Sequence, residues 1–242
     1  NRLSIGIQSF SEEDLKFMNR AHNAVEATSC IELARAFGFD NLTIDLIYGT
    51  PTMSYEVWKA NVQKAIDLDI PHIACYCLTV EPDTALAHFV KTGKSPNVVD
   101  EQAARQFEYL MKTLEEAGYI HYEISNFAKR NHFAIHNSNY WKGISYLGIG
   151  PSAHSFNGYV RQWNIANNAK YVKALTENTI CAESEILSTE QQYNEYVMTG
   201  LRTIWGCDLD KIQRFGEAYA THFKEKSAAF AQQNLIELND TN

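Results

Sequence analysis

Alternating apolar and polar positions mark the first strands of the chain. Residues 3–8 and 42–48 place apolar side chains on one face and small or polar ones on the other, whereas residues 72–78 are apolar on both faces. A period of two is typical of β-strands, because successive side chains point to opposite sides. Residues 119–124 are predicted to form a further strand.

Apolar residues at helical spacing lie between and after these strands, at 23–37, 54–68 and 100–117. Strands that alternate with helices pair in parallel, so the sequence predicts an α/β fold. The apolar residues of the first two strands are expected to pack under the helices, whereas the polar strand faces carry Gln8 and Asp45. They favour a barrel with a ligand-holding lumen over a doubly wound sheet, in which central strands are apolar on both faces.

The remainder of the chain shows a different pattern. Helices are predicted at 191–204, 209–215 and 219–233, with a short strand at 235–238, which together resemble a winged-helix module. Residues 125–156 combine histidines, aromatics and glycines with little periodicity and indicate a structured functional loop. The predicted domains are a barrel segment at 1–125, a loop and connecting segment at 126–182 and a helical, winged-helix-like domain at 183–242.

Composition and charge narrow the function. The 242 residues carry 21 Lys+Arg and 29 Asp+Glu, a formal net charge of -8, which argues against binding nucleic acid or an anionic membrane through bulk electrostatics. No apolar run approaches the ~20 residues of a transmembrane helix, and no signal-peptide pattern opens the chain. The sequence therefore predicts a cytoplasmic protein and leaves peripheral membrane contact open.

The cysteines form neither a disulfide framework nor a metal motif. Cys30, Cys75, Cys77, Cys181 and Cys207 are odd in number, scattered and without a C-x-x-C pair. This usage is typical of free thiols in a reducing compartment. Cys75 and Cys77 are expected to be buried strand residues.

Asp45 and Gln8 are the first candidate ligand-binding residues. A carboxylate within a buried strand must be paired or hydrogen-bonded, and active sites of parallel barrels lie where strands end. The acid accepts hydrogen bonds and the amide both accepts and donates, which suits the hydroxyls of a ribose. Alternatively, both side chains hold neighbouring loops through backbone hydrogen bonds. Arg20 has a guanidinium group suited to a carboxylate, although by itself it fits a surface ion pair equally well.

Four stretches of the chain, NRLSIGIQSF, LKFMNRAH, LTIDLIYGTP and YEISNFA, resemble the radical S-adenosylmethionine proteins related to oxygen-independent coproporphyrinogen III oxidase. The resemblance covers essentially the whole chain. It implies a TIM-like partial (β/α)6 barrel, of which this chain would supply about the last three units. It also implies that Gln8 and Asp45 hold the ribose of S-adenosylmethionine and that Arg20 holds its methionine carboxylate.

The chain departs from that family pattern at two places. The C-x-x-x-C-x-x-C motif, which supplies three thiolates to a [4Fe-4S] cluster, is absent from these 242 residues. The resemblance implies that this motif lies upstream, so that the chain would be a C-terminal portion beginning at about the fourth strand. The family's Gly-Leu-Pro after the aspartate strand is Gly49-Thr50-Pro51 here, a minor change.

Residues 136–141, His-Asn-Ser-Asn-Tyr-Trp, match the H-N-x-x-Y-W signature of the HemW-type heme chaperones within this family. His136 could ligate heme iron, and Tyr140 and Trp141 could contact the flat macrocycle. His154 is a rival ligand. Alternatively, the two aromatic residues anchor a long loop to the core and His136 caps a turn.

The resemblance implies two functions that share one S-adenosylmethionine pocket. The favoured one is a heme chaperone that binds heme and passes it to an acceptor protein, with S-adenosylmethionine and a [4Fe-4S] cluster bound in the intact protein. The alternative is an enzyme, the oxygen-independent coproporphyrinogen III oxidase. The H-N-x-x-Y-W signature favours the chaperone. A third hypothesis is a stable scaffold without activity of its own.

Overall fold

The computed structural model describes residues 2–239, which form two compact units that divide after Ala134. The first unit contains a five-stranded mixed sheet with helices, and the second contains a three-stranded antiparallel sheet with further helices. The α/β class predicted from the sequence is therefore confirmed. Within the described residues, no helix is both long enough and apolar enough to cross a membrane.

The sheet of the first unit has the order β1-β2-β3-β5-β4. Its strands are β1 (Leu3–Gln8), β2 (Leu42–Tyr48), β3 (His72–Cys77), β4 (Ile120–Glu123) and β5 (Asn126–Ala128). The first three pair in parallel, as predicted. The predicted strand at 119–124 is β4, but the unpredicted β5 lies between it and β3 and is antiparallel to both. Only two residues separate β4 from β5, and so short a connection produces a hairpin.

Five helices belong to this unit: α1 (Glu12–Phe17), α2 (Ala24–Ala36), α3 (Tyr55–Asp67), α4 (Ala85–Lys91) and α5 (Asp100–Glu116). Asn23 begins α2 with a reciprocal capping box, and the Ser54 hydroxyl accepts from the Val57 N–H at the start of α3. These side chains satisfy backbone donors that the first helical turn leaves without partners.

The core of the first unit lies between the sheet and its helices. Leu42, Ile44 and Leu46 of β2 are fully buried in a cluster that includes Trp58 of α3. Ile7 is also buried, but Leu3 is exposed, so the expectation that all apolar β1 residues pack under helices is wrong at Leu3. The reason is that β1 is the edge strand of the described sheet.

The second unit contains three strands and five helices among its described residues. They are α6 (Ile135–Trp141), β6 (His154–Phe156), β7 (Val160–Asn164), α7 (Asn168–Thr176), β8 (Ala182–Ile186), α8 (Thr189–Gly200), α9 (Leu209–Arg214) and α10 (Glu217–Gln232). The three predicted C-terminal helices are present as α8, α9 and α10. Residues 235–238 form no strand, so that prediction is wrong.

Residues 125–156 are more regular than the sequence indicated. They include β5, β6 and α6, and the His-Asn-Ser-Asn-Tyr-Trp motif lies on α6 rather than in a loop. Elements of three to seven residues are too short for periodicity to reveal. The cysteines are free thiols, but Cys77 is exposed, so the prediction that both Cys75 and Cys77 are buried is wrong for Cys77.

Candidate functional site

The carboxyl ends of β1 and β2 lie side by side. Gln8, the last residue of β1, is in register with Leu46, which directly follows Asp45. Because the strands are parallel, the loops after both strands leave from the same edge of the sheet. Gln8 and Asp45 thus lie on adjacent strands, near the edge where the sequence analysis expected a ligand.

Gln8 adopts a backbone conformation that side-chain-bearing residues rarely take. Its φ is 67°, and the Ser9 N–H donates to the Ile7 carbonyl oxygen at 2.8 Å, which closes a three-residue turn around Gln8. The same carbonyl oxygen lies 3.0 Å from the His22 Nε2 atom. A strained turn that its surroundings hold in place is common at binding sites.

The Gln8 side chain folds back toward the backbone of Gly6. A Cβ atom at position 6 would lie 2.6 Å from Gln8 Nε2, so the amide occupies space that Gly6 leaves free. Gln8 is only 9% exposed as a result. The absence of a side chain at Gly6 therefore leaves room for this amide group.

Asp45 is half-buried, and burial raises the pKa of its carboxyl group while Arg20 lowers it. Arg20 is exposed and lies three residues after the end of α1. The structure thus brings its guanidinium group into electrostatic range of Asp45. The three side chains offer a hydrogen-bond acceptor, an amide and a cation at one edge of the sheet.

Tyr76 shares this face of the sheet and was missed in the sequence analysis. Burial raises the pKa of its hydroxyl group, as do the nearby carboxylates of Asp45 and Glu123. Glu123 is buried and accepts a hydrogen bond from the Asn126 side chain. Tyr76 lies two strand positions after Ala74, the residue in register with Asp45, and this alternation was the available signal.

A buried carboxylate connects the loops that follow β1 and β2. Asp14 is fully buried and accepts hydrogen bonds from the hydroxyls of Ser9 at 3.1 Å, Thr50 at 3.2 Å and Thr52 at 2.8 Å. Asn61 donates in turn to the Ser9 hydroxyl at 3.0 Å. The network fixes the segment beside Gln8 to the Gly49-Thr50-Pro51 loop.

The donor set at this edge fits a ligand that carries both hydroxyl groups and a carboxylate, such as S-adenosylmethionine. It does not fit an iron–sulfur cluster. Over residues 2–239, no group of three or more His, Cys, Asp or Glu side chains could hold a metal ion. The polar side chains at this edge therefore suit a small polar ligand rather than a metal centre.

The second candidate site is on α6. His136 is exposed, and its ring meets the Tyr140 ring edge-on with centroids 5.2 Å apart, one helical turn away. Tyr140 contacts Tyr146 in the same way at 4.7 Å, and Trp141 is half-buried. The rival ligand His154 is also exposed, on β6, with its ring centroid 6.2 Å from that of Trp163.

Comparison with known proteins places these sites in context. The chain is 33% identical over 238 residues to the heme chaperone HemW of Lactococcus lactis, covering 98% of the chain and 62% of that protein. The corresponding figures for the heme chaperone HemW of Bacillus subtilis are 33%, 98% and 63%. Residues 187–242 match the HemN C-terminal domain. The chain is therefore similar to HemW proteins over nearly its whole length. It spans less than two thirds of the length of these HemW relatives.

The fold agrees with this similarity. The solved structure of coproporphyrinogen III oxidase (HemN) from Escherichia coli, a radical SAM enzyme, matches all of the chain and 59% of its own length with a TM-score of 0.78. The sequence identity of 21% supports a shared fold and nothing finer. The expected radical SAM partial barrel followed by a helical C-terminal module is consistent with this match.

Proposed function

We propose that the chain is part of a cytoplasmic heme chaperone of the HemW type, which binds heme and transfers it to an acceptor protein. The observation that carries the proposal is the exposed imidazole of His136 beside Tyr140 on α6, in a chain that resembles heme chaperones over 238 residues. An accessible nitrogen ligand next to flat aromatic surface suits a heme that must later be released.

Three features of α6 support heme binding by His136. The imidazole is exposed, whereas a histidine that capped an internal turn would be buried and satisfied by backbone groups. Tyr140 and Trp141 follow on the same helix, so their rings are held at a fixed spacing from the imidazole. A single ligand on a surface helix leaves the iron open to an acceptor's own ligand.

The proposal extends to S-adenosylmethionine at the first site. Asp45 and Gln8 would bind the ribose hydroxyls, and Arg20 would bind the methionine carboxylate. The half-buried Asp45 carboxylate and the strained turn at Gln8 support this assignment. The cluster that the family implies would need ligands other than those described here.

Titration with hemin tests the heme ligand. We expect His136→Ala to shift the Soret band and to raise the Kd of the heme complex, whereas His154→Ala, which removes an equally exposed imidazole of the same unit, should leave both unchanged. A larger effect of His154→Ala than of His136→Ala would contradict the assignment of His136 as the iron ligand. Transfer is tested by mixing the heme-loaded protein with a heme-free acceptor and following the Soret band of each.

A further inference from the structure

A cavity of about 430 Å³ lies within the second unit, immediately beyond the motif helix. This volume is within the range of small-molecule and cofactor sites. Helix α6 contributes one wall through its last residues, and the C-terminal helices contribute another. Six aromatic side chains line the cavity: Tyr140, Trp141, Tyr146, Phe156, Tyr196 and Phe215.

Two lysines line the same cavity without carboxylate partners. Lys142 Nζ lies 4.2 Å from the ring centroid of Trp205, and Lys211 Nζ lies 4.1 Å from that of Tyr196. Neither ammonium group forms an ion pair within residues 2–239. Because acidic residues outnumber basic ones in this chain, two such cations at one aromatic cavity are unexpected.

The third cation of the cavity is already neutralised. Arg161 donates to both carboxylate oxygens of Glu195, at 2.9 and 2.8 Å, and to Glu185 at 3.1 Å. Nη2 donates to Glu195 and Nη1 to Glu185, so two carboxylates hold the guanidinium group and a ligand would have to displace one of them. Arg161 therefore contributes to the shape of the cavity, whereas the two lysines remain available to an anion.

We propose that this cavity binds the porphyrin macrocycle itself, with Lys142 and Lys211 receiving its two propionate carboxylates. The inference rests on the proposed function and deepens it, because it assigns recognition of the organic ring to residues other than the iron ligand. Aromatic walls suit the apolar ring face, and two lysine ammonium groups match two carboxylates in number and charge. Tyr140 connects the two sites, since it contacts His136 and also lines the cavity.

The proposal predicts that porphyrin binding does not require iron. The experiment titrates the chain with metal-free protoporphyrin IX, with its uncharged dimethyl ester and with hemin, and follows porphyrin absorbance and fluorescence. In the variant Lys142→Glu/Lys211→Glu we expect the affinity for protoporphyrin IX to fall about tenfold or more, the scale of lost charge-assisted contacts. The affinity for the dimethyl ester should change little.

A matched control is Lys170→Glu/Lys224→Glu, which alters the net charge equally at two exposed lysines of the same unit. An equal loss in the control, or unchanged binding of protoporphyrin IX in the cavity variant, overturns the proposal. If circular dichroism shows that the glutamate substitutions unfold the unit, the milder Lys142→Gln/Lys211→Gln variant replaces them. The same two outcomes then decide the proposal.

His136→Ala separates the two hypotheses. It should weaken hemin binding and leave protoporphyrin IX binding intact. If His136→Ala has no effect on hemin while the lysine variants act as expected, the iron ligand is wrong and the cavity stands. If only His136→Ala has an effect, the cavity proposal fails and the proposed function stands.

Discussion

Arg20 lowers the pKa of the Asp45 carboxyl group, while burial raises it by more, so that the net shift is upward. The carboxylate is therefore less stable in the fold than in water even with a guanidinium group nearby. Hydroxyl groups that donate to it would restore part of the lost hydration.

The first prediction concerns stability. The pKa of Asp45 in the folded protein lies above its ordinary value of 3.8, so the ionised carboxylate destabilises the fold at neutral pH and ceases to do so as the pH falls through the folded pKa. We expect Asp45→Asn to raise the free energy of unfolding at pH 7 and to lose this advantage below pH 3.8. Urea denaturation at both pH values measures the effect. Asp40→Asn, at an exposed position, should show neither change.

The second prediction concerns the ligand at the same residue. In a longer chain that includes the cluster motif, Asp45→Ala should weaken S-adenosylmethionine binding by about 1–3 kcal/mol, the scale of a hydrogen bond to a charged group. Titration calorimetry measures this loss. Unchanged affinity would mean that Asp45 has a structural role, in which its side chain holds a neighbouring loop through backbone hydrogen bonds.

The third prediction concerns the Asp14 network. Asp14→Ala removes the acceptor for three hydroxyl groups, two of them fully buried, and should lower the free energy of unfolding by about 1–3 kcal/mol. The exposed neighbour Glu13 offers a control, and Glu13→Ala should change it by less than about 0.5 kcal/mol. Equal effects of the two substitutions would show that the network contributes no specific stability.

Several of these positions could be predicted from the sequence because their physics is local. The two-residue period of β1 and β2 predicted a polar face that carries Gln8 and Asp45, and the parallel pairing places the ends of the two strands side by side, with a register shift that pairs Gln8 with Leu46. The left-handed turn at Gln8 could not be predicted, because glutamine carries no signal for a positive φ. Tyr76 was missed because the sequence of β3 is apolar on both faces. It therefore does not indicate which face of β3 lies beside Asp45.

The fourth prediction concerns acid sensitivity. Burial, with smaller contributions from Arg2 and His132, lowers the pKa of His72 from 6.5 to about 3. The unfolded chain therefore binds a proton more readily than the fold, and stability should fall as the pH drops from 6.5 toward 3, by at most ~1.4 kcal/mol per pH unit. NMR titration should show a neutral His72 ring at pH 5. His72→Gln should flatten the pH dependence of unfolding, whereas substitution of the exposed His88 should not.

The fifth prediction concerns iron. Cys30 is on α2 and only Cys75 and Cys77 share an element, β3, so anaerobic reconstitution of this chain should not produce a stoichiometric [4Fe-4S] cluster. Iron and sulfide analysis with visible absorbance checks this. A chelator-sensitive charge-transfer band at one cluster per chain would contradict it.

If Gln8 binds S-adenosylmethionine as proposed, Gly6 contributes to that site by leaving room for the Gln8 amide group. A methyl group there would displace the Gln8 amide, yet Gly6 is exposed and the amide is the end of a flexible side chain, so the fold should tolerate the change. Natural variation at this position would therefore escape the purifying selection that removes unstable proteins. Under the proposed S-adenosylmethionine site, Gly6→Ala would be a single substitution that alters ligand affinity and leaves the cellular abundance of the protein intact.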